Sequence, residues 1–170
     1  MRPLSRTLLA AGLITLGLAA TADARYTSNV PDGTLLVQGD EESDNITIRS
    51  RADNLEVVDA DGIVDYSVKR VAVQSIRVEM GGGDDHITID DSLGTFTDTI
   101  PTLLDGQDGN DALLGGRGGE VLMGGEGHDV MLGAAGADAL LGEGGDDRLF
   151  GGAGIDKLDG GTGANIVVQN

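Results

Sequence analysis

The chain has no cysteine and no tryptophan, only two tyrosines and two phenylalanines, three prolines, and 11 Lys plus Arg against 29 Asp plus Glu. Without cysteine no disulfide can staple a fold, and no lipidated leader can be formed. So few rings exclude a stacking platform for sugars or bases. A formal net charge of −18 leaves no basic groove for phosphates, which excludes nucleic acid as a partner and argues equally against docking on anionic lipid. A length of 170 residues suits one domain or two small ones. What such a chain attracts is cations.

Catalytic parts are equally scarce. There are two histidines, His86 and His128, and neither has a triad partner or ligand spacing. Both read as exposed turn residues. No GxSxG, HExxH or GK[ST] motif occurs. Catalytic residues are therefore none, and the expectation is a protein that is not an enzyme. Asp59-Ala-Asp61-Gly62 invites an EF-hand reading but fails it, because positions 5 and 12 of such a loop fall on Ile63 and Arg70.

Residues 1–24 read as a secretory signal peptide. Arg2 and Arg6 form a positive head, the 13 residues Leu8–Ala20 are almost wholly apolar, and Ala22-Asp23-Ala24 offers a small-x-small cleavage site after Ala24. The apolar run is too short to span a bilayer, so the expectation is a secreted, extracellular protein without membrane insertion. Removal of this segment takes Arg2, Arg6 and Asp23 with it and leaves 28 acidic against 9 basic residues.

Periodicity is the strongest signal present. From Gly106 to Val168 the chain divides without gap into seven nonapeptides: GQDGNDALL, GGRGGEVLM, GGEGHDVML, GAAGADALL, GEGGDDRLF, GGAGIDKLD and GGTGANIVV. Position 1 is always glycine, at Gly106, Gly115, Gly124, Gly133, Gly142, Gly151 and Gly160. Position 4 is too, at Gly109, Gly118, Gly127, Gly136, Gly145, Gly154 and Gly163. Position 6 carries Asp111, Glu120, Asp129, Asp138, Asp147, Asp156 and Asn165, and position 8 is always apolar, from Leu113 to Val167.

Each position has a physical reason. Two glycines in six residues permit positive φ and close backbone approach, so positions 1–6 are expected to turn. Positions 7–9 are expected to form a short strand with position 8 facing inward. Two nonapeptides then make one 18-residue coil of a parallel β-solenoid, with coils stacked about 4.8 Å apart. Stacking places Asp111, Asp129, Asp147 and Asn165 on one edge, and Glu120, Asp138 and Asp156 on the other. Like charges so close repel in a partly desolvated turn. A hard divalent cation between successive turns resolves this, taking carboxylates and backbone carbonyls as ligands; calcium suits such flexible oxygen sets better than magnesium.

At these residues the sequence resembles the RTX (hemolysin-type) calcium-binding repeat family, whose pattern is GGxGxDxUx. GGEGHDVML at 124–132 and GGAGIDKLD at 151–159 match it from positions 1 to 8. The resemblance implies an all-β fold, a parallel β-roll (a right-handed β-solenoid), with Ca2+ between its turns, and secretion. Gln107, Ala134 and Glu143 depart from the pattern at position 2, Glu120 is one methylene too long, and Asn165 lacks the charge. Three good sites are expected, at Asp111/Asp129, Asp129/Asp147 and Asp138/Asp156; Glu120/Asp138 and Asp147/Asn165 are the two doubtful ones.

Residues 25–105 lack the nine-residue period but alternate as strands at 34–38, 45–49, 54–58, 75–79 and 86–90. VQGDEESDNITI at 37–48 and VEMGGGDDHITI at 78–89 are related, offset by 41 residues, and the second contains a degenerate repeat turn with Asp85 at the ligand position. Asp44 and Asp85 each read either as a calcium ligand or as a turn cap. The segment is expected to be an irregular extension of the solenoid ahead of the 106–168 array. Outward position 9 carries Leu114, Leu132, Phe150 and Val168 on one side, an apolar stripe that suggests self-association or a surface partner. The expected function is calcium-ion binding that folds the roll, in a structural or adhesive role outside the cell. The alternative is a tail module separated from a secreted hydrolase, a protease or lipase.

Overall fold

The computed structural model describes residues 26–169, so the expected signal peptide lies outside the described residues. Among the described residues fifteen strands make two sheets. In chain order they are β1 (Thr27–Asn29), β2 (Thr34–Gln38), β3 (Asn45–Arg51), β4 (Asn54–Asp59), β5 (Val64–Lys69), β6 (Ser75–Glu79), β7 (His86–Asp90) and β8 (Thr102–Asp108). There follow β9 (Ala112–Leu114), β10 (Glu120–Glu126), β11 (Val130–Gly136), β12 (Ala139–Gly144), β13 (Arg148–Gly154), β14 (Lys157–Asp159) and β15 (Ile166–Val168). The first sheet runs β1-β2-β6-β8-β10-β12-β14 and the second β15-β13-β11-β9-β7-β3-β4-β5. From β2 and β3 onward the chain alternates between the sheets, apart from β4 and β5, which stay beside β3 in the second, and successive coils pair in parallel.

Register shows how the irregular half joins the regular one. In the array each residue pairs with the one 18 positions on, as in Thr102 with Glu120 and Ala112 with Val130. Thr34 pairs with Ser75 and Asn45 with His86, a step of 41, which equals the spacing of the two related segments. Ile76 pairs with Thr102 and His86 with Ala112, a step of 26. The surplus over one coil leaves the stack in two places. The first is the excursion holding β4 and β5, and the second is the loop 91–101 between β7 and β8.

The first coil is covered by antiparallel strands: β1 pairs with β2, and β4 with β3, with β5 outside β4. The Tyr26 hydroxyl donates to Asp65 Oδ2 at 2.5 Å and ties the segment before β1 to β5. The sequence does not announce β1 or β5, since β1 is three residues of Thr, Ser and Asn and β5 has no fully buried position.

In the array the strands are longer than positions 7–9. β10, β11 and β13 each run seven residues and continue into the glycine-rich stretch. The turns stack in register as faithfully as the strands, Gly125 pairing with both Gln107 and Glu143, so ladder bonding carries on through positions 2 and 3.

The core is a column between the sheets. Leu104, Leu122 and Leu140 stack on one wall and Ile87, Leu113, Met131 and Leu149 on the other, all buried. Each fully buried aliphatic side chain contributes about 1.5–3 kcal/mol. The earlier coils present two inward side chains per strand, Leu35 and Val37 on β2 and Ile46 and Ile48 on β3, and Phe96 of the 91–101 loop is also fully buried. Val167 on the outermost strand is 46% exposed, although it sits at an inward position.

Candidate metal sites

The turns entering the second sheet bring the acidic residues of position 6 into one column. The backbone amide of Asp111 donates to Oδ1 of Asp129 at 2.8 Å, Asp129 to Oδ1 of Asp147 at 2.9 Å, and Asp147 to Oδ1 of Asn165 at 2.7 Å. On the opposite edge Glu120 donates to Oδ1 of Asp138 at 2.9 Å and Asp138 to Oδ1 of Asp156 at 3.0 Å. All five pairs expected from the spacing are thus juxtaposed, the two imperfect ones included. Each aspartate uses one oxygen to dock on the preceding coil.

The second oxygen is the informative one. Oδ2 of Asp111, Asp129, Asp138 and Asp147, and Oε1 of Glu120, are buried and have no hydrogen-bond partner. A buried acceptor left without a donor costs about 1–3 kcal/mol, more when charged. Asn165 shows what the place requires: its Nδ2 donates to the carbonyl of Gly160, position 1 of its own repeat, at 2.6 Å. An aspartate at the same position has no proton to give, so carboxylate and carbonyl oxygens there share a need for a cation. Asp156 differs again, since Gln169 Nε2 donates to its Oδ2 at 2.8 Å. Glu120 spends its extra methylene on reaching the amide of Gly116 with Oε2, at 2.9 Å.

Electrostatics agree with the geometry. Burial pushes the Asp129 carboxyl up to about 6, with the charges of Asp111 and Asp147 adding to it and the amide bond from Asp111 opposing it. Burial likewise takes Asp111 up to about 6 and raises Glu120 and Asp138. These are carboxylates held where their charge is disfavoured until something positive arrives.

The glycines frame the same oxygens. A Cβ at Gly106 would collide with Asp111 Oδ2, and the other position-1 glycines through Gly151 are similarly crowded by the acidic side chain of their own repeat. At position 4, Gly127 has φ 145° and its Cβ would run into the carbonyl of Gly109 one coil earlier. Gly109, Gly136, Gly145, Gly154 and Gly163 share that left-handed geometry. Gly118 does not, and there the 91–101 loop packs against the turn. The three position-2 departures, Gln107, Ala134 and Glu143, all sit at positive φ of 70–76°, so they occupy a glycine conformation with a side chain attached.

The edges are unequal. On one, the position-6 column reads Leu35, Ile76, Thr102, Glu120, Asp138 and Asp156, apolar at its start. On the other it is polar throughout, with Asp44 and Asp85 ahead of Asp111. Sequence reasoning missed Asp91, buried in the 91–101 loop: it accepts from the amides of Phe96 and Arg117 and from the Thr97 hydroxyl. It also missed the exposed position-5 ladder, in which His128 accepts the Asp146 amide at Nδ1 and donates its own amide to Asn110 Oδ1. His128 is an exposed turn residue there.

Among the described residues no three His, Cys, Asp or Glu side chains converge on one point. A metal held here draws on two carboxylates from stacked turns and on the main-chain carbonyls that the glycines bring close. This all-oxygen, partly anionic donor set fits Ca2+. When bound, the ion supplies the positive charge that the buried oxygens lack. Nor does any helix among the described residues have the length and apolarity to cross a membrane.

No curated protein matches the chain. Residues 103–119, 114–149 and 141–168 match the family model of the RTX calcium-binding nonapeptide repeat, in four copies. With its repeats in register, its parallel sheets and its aspartate columns, the segment 103–168 is a run of RTX calcium-binding nonapeptide repeats, and the chain that carries it is a calcium-binding repeat protein.

Proposed function

We propose that the chain is exported, remains largely unfolded where calcium is low, and folds into its solenoid outside the cell, where it is structural or adhesive rather than catalytic. The observation that carries this reading is the row of buried carboxylate oxygens without donors at Asp111, Glu120, Asp129, Asp138 and Asp147. Without calcium the repulsion and desolvation of these groups oppose folding, so metal binding free energy becomes folding free energy. Extracellular calcium modules bind at about 10⁻⁴–10⁻³ M, which suits a switch between the cell interior and the outside.

The contact role is supported by the stripe on the second sheet, where Leu114, Leu132, Phe150 and Val168 pair in register. Leu132 is 38% exposed, and Val130 and Ile166 on the same outer face are exposed as well.

Far-UV circular dichroism of the chain during a calcium titration, with magnesium and chelator controls, tests the folding switch. A cooperative gain of β signal with calcium alone is expected. A chain fully folded in chelator would overturn the coupling, and no response to calcium would overturn the reading itself. Sedimentation of the calcium form against Phe150→Asp tests the contact face: an associated parent and a monomeric variant are expected, and a monomeric parent removes self-association.

A further inference from the structure

The aspartate column continues past the point where the family match stops. We propose that a further calcium ion is held between the turn 80–85 and the turn 106–111, with Asp85 and Asp111 as its carboxylates. This rests on the calcium reading of the array and extends it to a turn with no nonapeptide around it.

Three observations carry it. The amide of Asp85 donates to Oδ1 of Asp111 at 2.8 Å, the same link that joins Asp111 to Asp129. Asp85 is 2% exposed, and its Oδ2 is buried with no partner, as at the regular steps. The turn has the repeat's backbone: Gly81 and Gly83 hold positions 2 and 4 with φ of 92° and 112°. A Cβ on Gly109 would strike the carbonyl of Gly83, just as one on Gly127 would strike that of Gly109. Asp108 donates its amide to the Gly81 carbonyl at 2.9 Å, and Asn110 donates twice to Asp84 Oδ1, so the two turns are stacked throughout.

Met80 at position 1 disguises the motif. Its side chain belongs to the core cluster, so a residue that breaks the sequence pattern leaves the oxygens of the turn in place. Two internal comparisons sharpen the inference. On the opposite edge the same coil places Ile76 at the equivalent level, where there is no carboxylate. Asp91 is also buried, yet both its oxygens accept hydrogen bonds. Asp85 couples the array's geometry to an open valence. An ion there joins the regular array to the coils carrying the two excursions.

The test is calcium stoichiometry of the full chain, by equilibrium dialysis with metal analysis, for the parent, Asp85→Asn and Asp129→Asn. Asparagine keeps an Oδ1 acceptor for the Asp44 amide, which Asp85 now binds at 2.6 Å. At least one ion fewer per chain is expected for Asp85→Asn, and likewise for Asp129→Asn. An Asp85→Asn protein that binds as many ions as the parent, while Asp129→Asn loses them, overturns this site and leaves the array reading intact. A parent that binds no calcium overturns both. Should Asp85→Asn fail to fold, hydrogen exchange of the unmodified chain decides. The amides of residues 83–85 are expected to gain calcium-dependent protection together with those of 109–111. Equal exchange at 83–85 in calcium and chelator, with 109–111 responding, overturns the proposal.

Discussion

The backbone amide of Asp111 donates to one oxygen of Asp129 at 2.8 Å, while the other oxygen of that carboxylate is buried with no donor. One side chain therefore joins two coils and presents an unmet electrostatic demand at the joint. Assembly and metal dependence are consequences of the same residue.

Asp129 belongs to two turn pairs and Asn165 ends the column, so their substitutions should act in opposite senses. Asp129→Ala is expected to lower calcium stoichiometry and to abolish the cooperativity of calcium-induced folding, read by circular dichroism. Asn165→Asp is expected to add calcium binding. It should also weaken the metal-free form by about 1–3 kcal/mol, because the bond from Nδ2 to Gly160 is lost and an oxygen faces an oxygen.

Acid should substitute for metal. A carboxyl whose value is raised by folding favours the protonated folded form. Its contribution to metal-free stability is complete below the ordinary aspartate value of 3.8 and is lost as pH rises through about 6 for Asp111 and Asp129. Asp85, pushed up to about 7 chiefly by burial, extends the window upward. In chelator, the β signal should therefore grow as pH falls from about 8 to about 4. In saturating calcium the same acidification should lower Tm, since protons displace the ion.

Backbone conformation gives a pair of substitutions independent of charge. Ala134 sits at φ 76°, so Ala134→Gly should raise the stability of the calcium form by about 1 kcal/mol. Gly127→Ala places a methyl against the Gly109 carbonyl and should cost at least ~2 kcal/mol. Thermal unfolding at fixed calcium reads both.

Asp91 should separate structure from metal binding. Asp91→Ala leaves the amides of Phe96 and Arg117 without their acceptor, a loss of about 1–3 kcal/mol. Calcium stoichiometry should stay at the parent value, and a fall would place Asp91 among the ligands.

The array could be read from sequence because each of positions 1, 4, 6 and 8 meets a different physical demand, so seven repeats state the same solution seven times. The kinship of 37–48 and 78–89 was visible in the shared Asp-x-Ile-Thr-Ile ending, and the structure adds that these endings pair as β3 and β7 across an excursion between the coils. The contacts of Asp91 were not visible, because its bond to the Arg117 amide spans 26 residues and occurs once. The extension of β10, β11 and β13 through glycine was hidden for another reason. Glycine disfavours an isolated strand, but a stacked turn supplies the ladder from its neighbours. Asn165 reads in the sequence as a weakened ligand, while its second role as donor to Gly160 needs the folded turn to be seen.

Parallel solenoids are prone to growing into filaments, since an unpaired coil templates the next chain. Here β1 and the β4–β5 hairpin lie antiparallel across the first coil, and Tyr26 bonded to Asp65 links the two. Among the described residues, a neighbouring molecule that met this face would find three residues of β1 on one sheet and, on the other, β5 with Asp65 and Lys69 along it. On the first sheet β1 is reversed with respect to the coils and only three residues long, which shortens the edge that the described residues offer whatever the calcium concentration.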